Sequence, residues 1–321
     1  MNYRLLNLLA VLVFCISCSK DSLQGENTII EGKELSSITH VSYNYLYTDQ
    51  PATRTYTTNY VFSDNRIATI STSVFHYFQD DPSLNHTDNL ESTLSYDNRN
   101  NVINVEEVYY NSGTLTSTLF YAFDYDESNR LTNMTIKNDA GFVQNEAFFT
   151  YENNTISEKS IEHYVEGQTT YDLSYETTYY TDQQQRIYRT TTKGPIFPDT
   201  DPNSVTETTQ EAIFNDGNLY QLFFNGSPYE EYHYTDIKIP SGLPTVLMPI
   251  SASIPYHILL ADFNMIAMSY NTNYLSLRTL LGSTNPIDIT FKNTLSKDNY
   301  PLKLEDYYED RIWSETTFTY K

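Results

Sequence analysis

Few side chains of this 321-residue sequence stand at spacings that chemistry requires. Asp199, Asp201 and Asn203 set oxygens at alternate positions, as the start of a calcium loop does. The rest of that loop fails, because Ser204 stands where glycine is needed and Gln210 where the bidentate glutamate belongs. Pro195, Pro198 and Pro202 make the segment read as a surface loop. Asp80 and Asp81, with Asp88, form a second acidic stretch of the same kind. The histidines His40, His76, His86, His163, His233 and His257 show no ligand pair at a useful spacing and no HExxH helix, so no metal site is expected. Nucleophile elbow, phosphate loop and dinucleotide fingerprint are all missing. With 41 acids in the chain, no carboxylate pair is informative by itself. Tyr307, Tyr308 and Trp313, close together near the C-terminus, are the flat amphipathic groups that stack on sugar rings. In a chain with 30 Tyr, strand packing is the simpler role for most of them. No catalytic residue and no cofactor follow from these patterns.

Composition narrows the class. Nineteen bases against 41 acids give a charge of −22, too acidic for a nucleic-acid partner. Two cysteines cannot staple a disulfide scaffold, and 15% aromatics do not suit a disordered acidic tail. Tyr- and Thr-rich stretches point to strands.

The N-terminus carries an address. Arg4 precedes the apolar run Leu8 to Ile16, which is too short to span a bilayer and fits the centre of a signal peptide. Ser17-Cys18 resembles the end of a bacterial lipoprotein signal. That resemblance implies a signal peptide over 1–17, lipidation of Cys18 and a flexible tether over 18–36. Ser19-Lys20-Asp21 resembles the export tag of Bacteroidota surface lipoproteins, which implies an outer-membrane, cell-surface location. Cleavage also discards Cys15, leaving no free thiol.

The remainder, 37–321, reads as one repetitive β domain. A strand ending in an aromatic residue is followed by an Asp- or Asn-rich turn, a branched aliphatic and a new strand. The phrase stands at Phe62, Tyr96, Tyr125, Tyr151, Tyr180 and Phe214, at spacings of 34, 29, 26, 29 and 34. Gly turns alternate with these at Asn111-Ser112-Gly113, Asp139-Ala140-Gly141, Glu166-Gly167 and Asn225-Gly226. Asp and Asn bond their own backbone two residues on, and Gly takes positive φ, so each unit predicts an antiparallel hairpin.

Residues 237–286 break the period. Five prolines and glycines, from Pro240 to Pro255, punctuate an apolar stretch. Ile258, Leu259, Phe263, Ile266, Ala267 and Tyr270, then Tyr274, Leu277, Leu280 and Leu281, recur at helical spacing. With Pro255 at the start and Gly282 at the end, this predicts one or two helices over 256–281 that cover an end of the sheet.

The phrase Phe123-Asp124-Tyr125-Asp126 to Asn129-Arg130-Leu131 resembles the YD repeat of RHS-type proteins and of uncharacterised Bacteroidota lipoproteins. The resemblance spans roughly 40 to 235 and returns at Tyr300 to Glu305 and Glu315 to Tyr320. It implies a mainly β meander forming a curved sheet or partly closed barrel, and transfers no catalytic residue. The expected function is non-enzymatic binding of a glycan or protein ligand by a lipid-anchored envelope protein. A structural subunit of an envelope complex and a polysaccharide-active hydrolase are the alternatives.

Overall fold

The computed structural model describes residues 35–45, 51–63, 66–166, 169–195, 205–240, 267–282 and 285–321. The leader over 1–17, Cys18, most of the tether and the Asp199–Asn203 loop lie outside these. Eighteen strands follow in order. They are β1 (Leu35–Asn44), β2 (Arg54–Ser63), β3 (Arg66–His76), β4 (His86–Tyr96), β5 (Val102–Asn111) and β6 (Thr114–Tyr125). Next come β7 (Leu131–Asn138), β8 (Val143–Glu152), β9 (Thr155–Glu166), β10 (Thr169–Thr181), β11 (Ile187–Pro195) and β12 (Val205–Asn215). The last are β13 (Asn218–Phe224), β14 (Ser227–Lys238), β15 (Asn273–Leu280), β16 (Ile287–Leu295), β17 (Pro301–Tyr308) and β18 (Arg311–Tyr320).

Every strand pairs antiparallel with its chain neighbours, and β1 pairs with both β2 and β18. The sheet is therefore a closed 18-stranded up-and-down barrel, not a curved or partly closed sheet. Closure satisfies the backbone of both terminal strands, which would otherwise be open edges. Strand β1 begins at Leu35, inside the segment expected to be tether.

The helices expected over 256–281 also need correction. Residues 256–266 lie outside the described residues, and only Ala267 and Met268 are helical. Asn273–Leu280 is strand β15, hydrogen-bonded to β14 and β16. The only other helical piece among the described residues is a 3-10 turn, Pro82–Leu84. Ala267 and Met268 are buried in the main core cluster, and the Ile187 amide donates to the Tyr270 hydroxyl. Ala267, Met268 and Tyr270 therefore pack against the main core cluster.

The aromatic–turn phrase has a physical basis. Asp126 accepts the Arg130 amide at 2.9 Å and its guanidinium Nε at 2.8 Å, while Asn129 takes φ 66°. Asp97 and Asp182 make equivalent turns, with Asn100 and Gln185 at positive φ. The hydrogen bonds hold all three carboxyls below the usual range. Ser296 begins a fourth such turn, with Asn299 at φ 63° and the Tyr300 amide on its hydroxyl.

The tyrosine before each turn reaches to the preceding unit. Tyr96, Tyr125 and Tyr151 donate to the carbonyls of Ile67, Val102 and Leu131 at 2.6, 3.0 and 2.8 Å. Arg66 and Arg130 lie over the Tyr96 and Tyr151 rings. The rung is cross-linked again where Arg99 donates to the Asp126 carbonyl and Asn101 to the Asn129 side chain. Tyr180 does not hold this position. Thr181 pairs with Ile187 as Tyr125 pairs with Leu131, so Thr181 fills the slot and Tyr180 lies under Arg189.

The turns of these units, with the segment around 267–271, gather at one end, the Asp rim; the Gly-type turns lie at the far rim. Inward side chains near the Asp rim are apolar. Phe123, Leu131, Phe149, Leu219, Leu222 and Tyr232 lie in one cluster and Ile38, Tyr60, Phe62 and Phe318 in another, with Leu94 packed against both. Each fully buried aliphatic contributes about 1.5–3 kcal/mol.

Outward side chains are mostly polar. They include Asn89, Glu91, Thr93 and Ser95 on β4, Glu207, Thr209 and Glu211 on β12, and Glu315, Thr317 and Thr319 on β18. A membrane-crossing barrel presents the reverse, an apolar band outside and a polar interior. Here the outer face is mostly polar, with exposed Val61, Phe75, Phe120, Phe148, Val165 and Ile213 among the polar residues, and the apolar core lies inside.

Candidate functional site

Above the apolar layer, inward positions turn polar. Strand alternation puts Thr58, Thr72, Ser92, Glu107, Glu158, Glu230, Asp306, Ser314, Thr316 and His40 at the middle of the barrel, and all but Glu158 are nearly inaccessible. Buried polar groups need partners, and each carboxylate has one. Glu107 accepts from Ser92 and from the Tyr121 hydroxyl at 2.7 Å. Glu158 accepts from Tyr179, and Asp306 from Ser314. Glu230 accepts from Tyr232 and pairs with Arg278. Burial raises the Glu158 and Asp306 carboxyls and the Tyr179 hydroxyl. His40, bonded to Thr316 at 2.9 Å, is pushed down to about 4 by burial.

Between this belt and the far rim lies a cleft of about 560 Å³, walled by β6, β7, β8 and β9. Leu119, Tyr121 and Ile136 give it an apolar side. Asn138, Gln144, Asn145 and Glu162 give it amides and a carboxylate. Tyr164 completes it, donating to Glu162 at 2.6 Å and stacking on Tyr171 with ring centroids 5.4 Å apart. The bond to Glu162 raises the Tyr164 hydroxyl to about 12, so it is neutral and a donor at ordinary pH. The Asn145 side-chain oxygen is buried and has no partner. Aromatic faces beside amides and a carboxylate match a neutral, hydroxyl-rich ligand. A separate cavity of about 50 Å³ beside Asn293, Asp306 and Ser314 is water-sized.

The sequence candidates fall elsewhere. Tyr308 and Trp313 meet edge to face at 6.0 Å on the β17–β18 hairpin, with Trp313 39% exposed. Tyr307 bonds Glu305 on the same hairpin. None of the three lines the cleft. His163 sits between Asp172 and Glu146, whose hydrogen bonds raise it, and His233 lies beside Glu231. His257 lies outside the described residues. His76 and His86, read as unpaired, are directly opposite in the β3–β4 register, with Asp88 beside both. Hairpin register, and not spacing along the chain, joins them. The cleft residues gave no sequence signal, since Tyr, Asn and Glu recur throughout the strands.

No family model matches the chain, and no curated protein is found similar to it. Among solved structures, a porin-like protein from Bacteroides uniformis matches with TM-score 0.42 and 14% identity, covering 89% of this chain and 98% of that one. A porin-like protein from Bacteroides vulgatus matches with TM-score 0.37 and 11% identity, over 90% of this chain and 98% of that one. A Photorhabdus luminescens Tc holotoxin pore matches with TM-score 0.28 and 12% identity, over 86% of this chain and 16% of that one.

Proposed function

We propose that the protein is a lipid-anchored, non-enzymatic cell-envelope protein whose water-facing barrel binds an oligosaccharide in the cleft at its far rim. The observation that carries this reading is the cleft itself, with stacked Tyr164 and Tyr171 and the unpartnered Asn145 oxygen. A glycan supplies hydroxyl donors for that oxygen and flat C–H faces for the rings. Binding fits better than hydrolysis, because Glu162 is the one carboxylate lining the cleft and it already accepts from the Tyr164 hydroxyl. The polar outer face leaves the acyl chains expected on Cys18 as the membrane attachment, and a charge of −22 would repel an anionic surface. Surface display rests on the resemblance of Ser19-Lys20-Asp21 to an export tag.

The test is a glycan array on the purified protein, followed by titration of any hit into Tyr164→Ala and Asn145→Ala. Selective binding that weakens at least tenfold in both variants supports the reading. No bound glycan, or a hit indifferent to both substitutions, sinks it.

A further inference from the structure

We propose that His76, His86 and Asp88 form a binding site for a divalent transition cation of the zinc class at the far rim, a property that goes beyond the glycan reading.

The three residues meet because β3 and β4 form a hairpin in which His76 lies directly opposite His86 and Val74 opposite Asp88. Alternation from buried Thr72 and Ser92 places all three on the inner face. Asp88 Oδ2 lies 3.1 Å from His76 Nε2 and 3.9 Å from His86 Nε2. The potential ligand atoms all fall within 4.8 Å of one another. Around one tetrahedral zinc, ligand atoms stand roughly 3.3 Å apart, so closure needs shifts of about 1.5 Å or less.

Three further features suit a metal. His86 Nδ1 lies 2.9 Å from the Leu84 carbonyl. That bond puts the proton on Nδ1 and leaves Nε2 bare toward the cluster, the usual outer support of a ligating imidazole. Asp88 Oδ1 is buried with no hydrogen-bond partner, so this carboxylate has acceptor capacity that the protein leaves unused. The histidine rings stack at 4.4 Å, and Phe78 packs on His86. The intervening loop is braced by the Phe78 amide on Asn85 and by Asp81 capping Ser83. Binding would tilt the nearly parallel rings so that both Nε2 lone pairs converge on the ion.

Two imidazoles and one carboxylate suit Zn²⁺, Co²⁺ or Ni²⁺ and do not suit Ca²⁺ or Mg²⁺, which prefer oxygens. Three protein ligands leave a fourth position for water or for a ligand oxygen.

The test uses the full chain, stripped with chelator and titrated with Co²⁺ at pH 7.5, read by visible d–d absorption, and with Zn²⁺ by calorimetry. The comparison is with His76→Ala/His86→Ala and with Asp88→Asn, each checked for an unchanged far-ultraviolet spectrum. The expected result is one equivalent of Co²⁺ with the absorption of a low-coordinate N/O site. At least a tenfold loss of affinity should follow in each variant, and Ca²⁺ should not compete. Equal binding by wild type and both variants, or no saturable binding by wild type, overturns the proposal. If the double variant does not fold, Asp88→Asn alone decides.

Discussion

His40 offers a direct reading of how the barrel's middle is built. It is 4% exposed, bonded to Thr316, and its pKa is pushed down to about 4 from 6.5. The native state therefore keeps a neutral imidazole, while the unfolded chain takes up a proton as pH falls through 6.5. Stability contributed by His40 is complete above 6.5 and is lost as pH drops toward 4. Linkage between those two values gives a loss of about 2 kcal/mol at pH 5 relative to pH 7. Glu158 and Asp306 act in the opposite sense, because burial raises their folded pKa and favours their neutral forms as pH falls. His163, also raised, likewise gains as pH falls. The wild-type profile mixes these, and His40→Gln isolates one of them, since glutamine can still bond Thr316 and does not titrate. Urea unfolding would be followed by the fluorescence of Trp313, the sole tryptophan, at pH 7 and pH 5. The expected difference is a wild-type loss exceeding the variant's by about 2 kcal/mol. Identical pH slopes would show that His40 is already protonated or hydrated in the native state, and would refute a sealed belt.

Other substitutions probe other layers. Tyr125→Phe removes the hydroxyl bond to the Val102 carbonyl and should cost about 1 kcal/mol, a fall of roughly 2–4 °C in thermal midpoint. Arg278→Met strands the buried Glu230 carboxylate and should cost about 3–5 kcal/mol by denaturant titration, with Glu230→Gln in the same background recovering much of it. Gly194→Leu puts a Cβ into the space filled by the Tyr175 ring, so it should destabilise, and Tyr175→Ala should relieve the clash.

The repeat was legible because its chemistry is local. An Asp that caps a turn four residues long, an Asn at positive φ and an aromatic just before them recur as a phrase that needs no partner strand. The fourth turn escaped because Ser296 replaces Asp and accepts the same amide. Tyr180 was misplaced because Thr181, and not an aromatic residue, directly precedes the turn residue Asp182; the register shift at Tyr180/Thr181 matches those at Ser95/Tyr96 and Asp124/Tyr125, so the slot falls on Thr181. Closure was not legible, since β1 meets β18 across nearly the whole chain; His40 and Thr316 are 276 residues apart.

Strand β15 shows the limit of periodicity. Tyr274, Leu277, Leu280 and Leu281 fit helical spacing, but two waiting strand edges and the Glu230 carboxylate facing Arg278 decide for a strand. In that strand Tyr274 donates to the Asn299 carbonyl, resuming the tyrosine rungs of earlier units. The cleft and the His76–His86–Asp88 cluster depend wholly on cross-strand register, so their residue types carried no signal.

The proposed function requires that the barrel turn a mostly polar face to water and its core inward, and that the acyl chains proposed on Cys18 be its attachment to a membrane. The most direct measurement is the state of a chain covering residues 19–321, lacking Cys18, in buffer without detergent and beside lipid vesicles. The structure predicts a monodisperse species that stays in the aqueous phase and gives no conductance in planar bilayers. A chain that needs detergent, floats with vesicles or opens channels would contradict it.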